Sequence, residues 1–219
     1  MVKMIGDAYL KRFQNNTWMT DTTKANAIKK LENMLAVIGY PDNYTFPEIT
    51  PISEGGSLFS NTLSIKRHAV SELIRYNEDK EFIRTNMFMP ADMVNACYIS
   101  TLNTMNIPAG ILNAPYYDKD ASLATNLGGI GMVIAHEIGH AFDKDGAMYD
   151  ENGCVKNWWT NKDYEEFEKI QDEFVDYYNK FEVIDGVVQD ASITIGENVK
   201  SLGNGAFSGC AGILALPNS

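Results

Sequence analysis

The stretch Gly131–Asp143, GMVIAHEIGHAFD, holds two of the chain's three histidines, His136 and His140, with Glu137 directly after the first. Residues i and i+4 of an α-helix project from one face, so both imidazoles can reach a single ion. Zinc takes nitrogen and oxygen donors tetrahedrally at about 2.0–2.2 Å, and a catalytic site uses three protein ligands and leaves the fourth position to water. Glu137 is turned about 100° around the helix from His136. It is badly placed to join the same coordination sphere, yet it can reach a bound water. That is the arrangement of a general base acting on metal-activated water. A chance H-E-x-x-H is expected in on the order of one chain in a hundred of this size or fewer, so coincidence is a poor explanation. The competing explanation is a buried structural helix, but two histidines and a glutamate are costly to bury without polar partners.

A third protein ligand is needed. The pattern with a glycine three residues and a histidine six residues after the second histidine fails, because Asp143 and Gly146 stand at those positions. His68 is the remaining histidine; it lies far upstream in an amphipathic segment and reads as a packing or surface residue. The other candidates are carboxylates. Glu165 and Glu166 sit on a strongly acidic helix, where glutamates usually form a solvated face, whereas Glu197, in TIGENVKSLG, has a more apolar setting at the start of an expected helix. Spacing alone does not choose between them.

The elements that must hold these residues are mostly helical. Residues 1–39 read as helix, with Thr20 or Asp21 as a cap and Ala25, Ile28, Leu31, Met34, Leu35 and Ile38 as one apolar stripe. GYPDNYTFPEITP breaks the helix with three prolines, and SLFSNTLSIKRHAVSELIRYNED is a second amphipathic helix. MVNACYIS and TMNIPAGIL flank TLN as a short antiparallel hairpin, with Pro108 at an edge or strand end. NAPYYDKDASLATN reads as loop, Gly128 to about Lys144 as a buried helix, and KDGAMYDENGCVKNWW as a turn-rich connection. Thr160 and Asp163 resemble a capping box opening a helix with Tyr164, Phe167, Ile170, Phe174 and Tyr177 as its stripe.

Composition narrows the class. The 219 residues are 45% hydrophobic and 21% charged, enough for one large domain or two small ones. A net charge of −11 argues against nucleic acid as a partner. No window of about 18 apolar residues is present, so neither a transmembrane helix nor membrane contact is expected, and the N-terminus lacks the apolar run of a signal peptide. Cys97, Cys154 and Cys210 are too few and too far apart for a disulfide framework or a thiolate zinc site. Oligomeric state and compartment stay open.

In order, NIPAGIL, GGIGMVIAHEIGHAFD, WW and GENV resemble the neprilysin family (M13) of zinc endopeptidases, and TWMTDTTKANAIKKLENMLAVIGYPDNY resembles the segment ahead of its catalytic core. The likeness runs from about Ile5 to Val199, and the scarcity of cysteine is more like a bacterial member. It implies an α+β, mainly helical fold: one zincin-type core with a small antiparallel sheet. It implies one zinc per chain held by His136, His140 and Glu197, with Glu137 as the catalytic base. Asp143 matches an aspartate beside the histidine ligands, and Asn95 and Ala96 match the edge-strand pair that binds substrate backbone. A carboxylate on the far nitrogen of a ligating imidazole fixes its tautomer and orientation. The activity so implied is hydrolysis of oligopeptides in the cytoplasm or outside the inner membrane.

Two departures stand out. The family pattern after the third ligand is Glu-Asn-x-x-Asp, whose aspartate supports a histidine ligand; here Ser201 takes that place. LGNGAFSGCAGILALPNS carries neither the arginine that grips substrate nor the histidine that stabilises the transition state in the family. Residues 1–199 therefore read as a partial catalytic domain and 200–219 as an atypical tail, truncated or non-native. A catalytically incomplete metal- or peptide-binding fragment is the alternative to an active peptidase, and a metal-free helical domain is a third reading.

Overall fold

The computed structural model describes residues 1–41, 52–78, 84–180, 182–184 and 187–188. Glu197, Ser201, the helix expected after Gly196 and the tail from residue 200 lie outside the described residues, as does most of the proline-rich break. No helix among the described residues is long and apolar enough to cross a membrane.

Helix α1 (Val2–Gln14) buries Ile5, Tyr9 and Phe13, one residue per turn on a single face. The Tyr9 hydroxyl donates to the Ala135 carbonyl at 2.8 Å, and Phe13 meets Phe142 edge-on at 4.6 Å. These contacts seat α1 on the helix that carries the histidines and on the turn that follows it. Helix α2 (Asp21–Glu32) starts at Thr20, which caps it as expected. Its buried face is Thr23, Ala27 and Lys30, whereas Ala25 is exposed. The apolar stripe read from the sequence is only half right here, with Ile28 and Leu31 partly buried against the core. Polar residues take the inner positions because partners wait for them: Thr23 donates to Asp163, and Lys30 Nζ donates to the carbonyls of Gly146 and Tyr149.

The helix expected to reach residue 39 stops at Glu32. Residues Leu35–Gly39 form strand β1 instead, closed by Gly39 at φ +79°. Strand β2 (Cys97–Ile99) and strand β3 (Thr104–Pro108) form the expected antiparallel hairpin, and Pro108 ends its strand. β1 adds to the far edge of β3 in parallel, Leu35 opposite Thr104 through Gly39 opposite Pro108. The small sheet is therefore mixed, in the order β1-β3-β2, with β3 buried throughout. Tertiary pairing overrides helix periodicity here: Val37 and Ile38 are β-branched, and β3 offers an unpaired edge.

Helix α3 (Leu58–Glu78) carries His68 and leaves Leu58, Phe59, Ile65 and Val70 exposed. The helix expected over 128–144 covers only Ile130–Gly139, and a short helix precedes it where a loop was expected. Helix α4 (Leu123–Gly128), capped by Ser122, ends at Gly129, whose backbone presses on the Tyr116 carbonyl so closely that a Cβ would lie 2.2 Å from it. Helix α5 (Ile130–Gly139) follows, ending five residues earlier than the sequence suggested. Ala141 and Phe142 then bond three residues back, to Ile138 and Gly139, so the chain tightens into a turn.

Helix α6 (Asn161–Tyr178) opens on the expected capping box. Its Asp163 also reaches α2. The buried carboxylate accepts from Thr160 N–H at 2.9 Å and Thr160 Oγ1 at 2.5 Å. It accepts as well from Thr20 N–H at 2.7 Å, Thr20 Oγ1 at 3.0 Å and Thr23 Oγ1 at 2.6 Å. Two helix N-termini thus share one anion, which suits the positive ends of both dipoles. Two short strands, Glu182–Ile184 and Val187–Val188, form a separate antiparallel pair.

Burial alone would raise the Asp163 pKa, but the bonds from Thr160, Thr23 and the Thr20 backbone outweigh it and hold the carboxyl at about 2, below its ordinary 3.8. A depressed acid stabilises the fold above its unfolded pKa and loses that contribution as pH falls through the folded value. The shift corresponds to about 2 kcal/mol at neutral pH. Thermal unfolding of Asp163→Asn is expected to show that loss at pH 7 and a smaller decline than wild type between pH 5 and pH 2; parallel curves would reject the assignment.

Candidate metal centre

Helix α5 is apolar around most of its surface. Ile130, Ile134, Ala135 and Ile138 are buried in the core, and His136 and Glu137 are 7% and 6% exposed among them. Contacts to α1, α4, β2 and β3 hold it on several sides. His140 follows its last residue, yet it keeps helical dihedrals (φ −60°, ψ −20°), and its N–H bonds to the His136 carbonyl. The i, i+4 relation expected of the two histidines therefore survives the early end of the helix.

Their Nε2 atoms face each other at 3.0 Å, with the rings 4.5 Å apart and nearly perpendicular. The Asp143 carboxylate fixes the other side of His140, with Oδ2 2.9 Å from Nδ1. A carboxylate there keeps the proton on Nδ1 and leaves Nε2 as a lone pair. Asp143 lies in the turn beyond α5, and its Oδ1 accepts from Gly146 N–H at 2.7 Å. One acid thus braces the imidazole and caps the 3-10 turn Gly146–Met148. His136 Nδ1 is buried without a partner among the described residues.

The ionisation of the three groups follows from this packing. Burial, aided by the charge of His140 and opposed by Asp143, lowers the His136 pKa to about 4. The bond to Asp143 raises that of His140 against burial. Burial raises that of Glu137, opposed by His140 and by the backbone of Tyr98. Cys97, beside Tyr98, is pushed up to about 11 by burial and by the charge of Glu137.

The donor set fits zinc. Two imidazole nitrogens converge, one with its orienting carboxylate, and distances of about 2.0–2.1 Å from each nitrogen to one ion are compatible with their separation. Among the described residues no group of three His, Cys, Asp or Glu side chains completes a site. Glu165 is exposed on α6, Glu166 pairs with Lys169 at 2.7 Å, and His68 lies on α3 with its Nε2 unpartnered. Of the candidates from the sequence, Glu197 alone lies outside the described residues. Asn95 is exposed and Ala96 buried, immediately ahead of β2, whose only strand partner among the described residues is β3.

Comparison with known proteins covers the same regions. The model of peptidase family M13 matches residues 95–207, and a second model of that family matches residues 1–41. The neutral endopeptidase of Lactococcus lactis subsp. cremoris is 37% identical over 206 residues, 93% of this chain and 32% of that protein. A putative zinc metalloproteinase of Streptococcus gordonii is 39% identical over 207 residues, 93% of this chain and 36% of that protein. Among solved structures, PepO from Lactobacillus rhamnosis HN001 superposes with a TM-score of 0.75 at 32% identity, covering 98% of this chain and 33% of that one. The zinc metalloprotease ZMP1 of Mycobacterium tuberculosis, in complex with inhibitor, gives 0.69 at 33% identity, covering 97% and 32%. The chain thus spans about a third of the length of these relatives. Because one matched block takes in the hairpin, the histidine helix and the region of Glu197, the chain belongs to peptidase family M13, the neprilysin family.

Proposed function

We propose that this chain carries the zinc-binding core of a metalloendopeptidase that hydrolyses oligopeptides. The observation that supports this most directly is the pair of His136 and His140 Nε2 atoms facing each other at 3.0 Å, with Asp143 behind one ring and Glu137 next to the other on a buried helix. His136 and His140 would hold one zinc, with Glu197 as third ligand by its place in the family motif. Bound there, the metal supplies Lewis acidity toward the scissile carbonyl and acidifies a water.

The chain's own groups do the rest. Glu137, raised by burial, is suited to take a proton from that water and return it to the leaving amine. Asp143 keeps the His140 lone pair aimed at the ion. Asn95 and Ala96 would align the peptide alongside β2 by strand addition.

Protein purified without chelator is expected to contain about one zinc per chain by mass spectrometry, and Glu197→Ala to lose it. Failure to take up zinc even on reconstitution would remove the metal-site reading. Glu137→Gln is expected to keep the metal and lose about 10²-fold or more of the cleavage rate on a fluorogenic peptide. Equal rates for the two proteins would instead favour a binding fragment without turnover.

His136 Nδ1 lacks a partner among the described residues, and Ser201 stands where the family has its supporting aspartate. Ser201→Asp is therefore expected to tighten zinc binding about 10–100-fold in competition with a chromophoric chelator. Unchanged affinity would mean that residue 201 does not serve His136.

A further inference from the structure

Lys30 is 1% exposed. A buried ammonium is retained only where its donors are met. Two are met by the carbonyls of Gly146 at 2.6 Å and Tyr149 at 2.7 Å. The rings of Trp158 and Tyr98 lie 5.5 Å and 5.9 Å from Nζ and stabilise the charge through their π faces. Both carbonyls belong to the segment that follows Asp143, and Trp158 Nε1 adds a second side-chain bond to Gly146 O at 3.2 Å.

Gly146 is held from two sides. Its carbonyl is fixed by Lys30, and its N–H by Asp143 Oδ1 at 2.7 Å. It also packs directly on the end of the histidine helix, since a Cβ there would lie 2.3 Å from the His140 carbonyl. The other oxygen of Asp143 holds His140 Nδ1 at 2.9 Å. A path of short bonds runs from the ammonium through the two peptide groups that flank the Gly146 Cα and one carboxylate to the imidazole.

We propose that Lys30 is a positioning residue for His140: by pinning the Gly146–Tyr149 turn it sets the Asp143 carboxylate that orients the imidazole toward the metal. The metal part of this rests on the zinc-site reading above; the path itself is a property of the metal-free protein. It gives the N-terminal segment, matched separately at residues 1–41, a direct bearing on a ligand matched in residues 95–207. A purely architectural lysine would join α2 to the turn without affecting the imidazole.

The test compares Lys30→Met, which keeps the apolar stem, with Thr23→Val, which removes the bond to Asp163 about two turns away on the same helix and controls for a general loss of stability, read from each variant's Tm. In metal-free, nitrogen-15-labelled protein, wild type and Thr23→Val are expected to show the hydrogen-bonded His140 Nδ1 proton, and Lys30→Met to lose it with a shift toward the other tautomer. Zinc affinity should fall about 10–100-fold in Lys30→Met and stay within about twofold in Thr23→Val. A retained proton signal in Lys30→Met, or equal losses in both variants, overturns the proposal. If Lys30→Met does not fold, Lys30→Leu, which also lacks a donor, is read by the same criteria. If wild type takes up no zinc, the metal-site reading fails while the imidazole spectrum still decides the role of Lys30.

Discussion

The two oxygens of Asp143 have different tasks, and the rest of the site depends on that division. One fixes the His140 ring and the other closes the turn that reverses the chain after the helix. An imidazole at a helix end is otherwise free to rotate about two side-chain torsions, and a metal ligand that rotates loses affinity. Anchoring the carboxylate in a backbone turn shifts the cost of ordering that ring onto structure that is packed for other reasons. Gly146 makes this possible, because its lack of a Cβ lets the turn lie against His140 itself.

The helix adds a second constraint. Surrounding His136 and Glu137 with Ile130, Ile134, Ala135 and Ile138 puts their chemistry in a low-dielectric setting, where burial favours the neutral imidazole and works against ionisation of the acid. A neutral imidazole is the form that ligates a cation, and a carboxyl of raised basicity is the form that accepts a proton. The same helix that carries these groups is seated on α1 and the sheet. Stability and reactivity therefore draw on one set of contacts.

Much of this was legible in residue order. His136, Glu137 and His140 announce themselves because the spacing of a helix is fixed, whereas Asp143 is read from the family resemblance. The hairpin and the Thr160–Asp163 box were also readable, since both rest on local chemistry. Distant partners were not. Leu35–Gly39 have helical periodicity and become a strand because β3 has an open edge, and nothing local signals that edge. Lys30 sits on what looks like a solvated face until the carbonyls of Gly146 and Tyr149 come to meet it. Pattern reasoning treats a lysine as surface, and only tertiary structure supplies the acceptors.

The bonds that Asp163 makes to Thr20 and Thr23 join residues 143 and 140 positions apart, and Lys30 meets Gly146 across 116. Such closures carry a large entropy loss before any contact is formed, and they cannot form on a partial chain. During synthesis residues 1–40 leave the ribosome before the buried partners at 146–163 exist. Until then Thr23 and the Lys30 ammonium stay hydrated and the apolar faces of Tyr9 and Phe13 lie open. Residues 1–40 are thus made before the partners they meet, and their assembly waits on the arrival of the very residues they will hold in place.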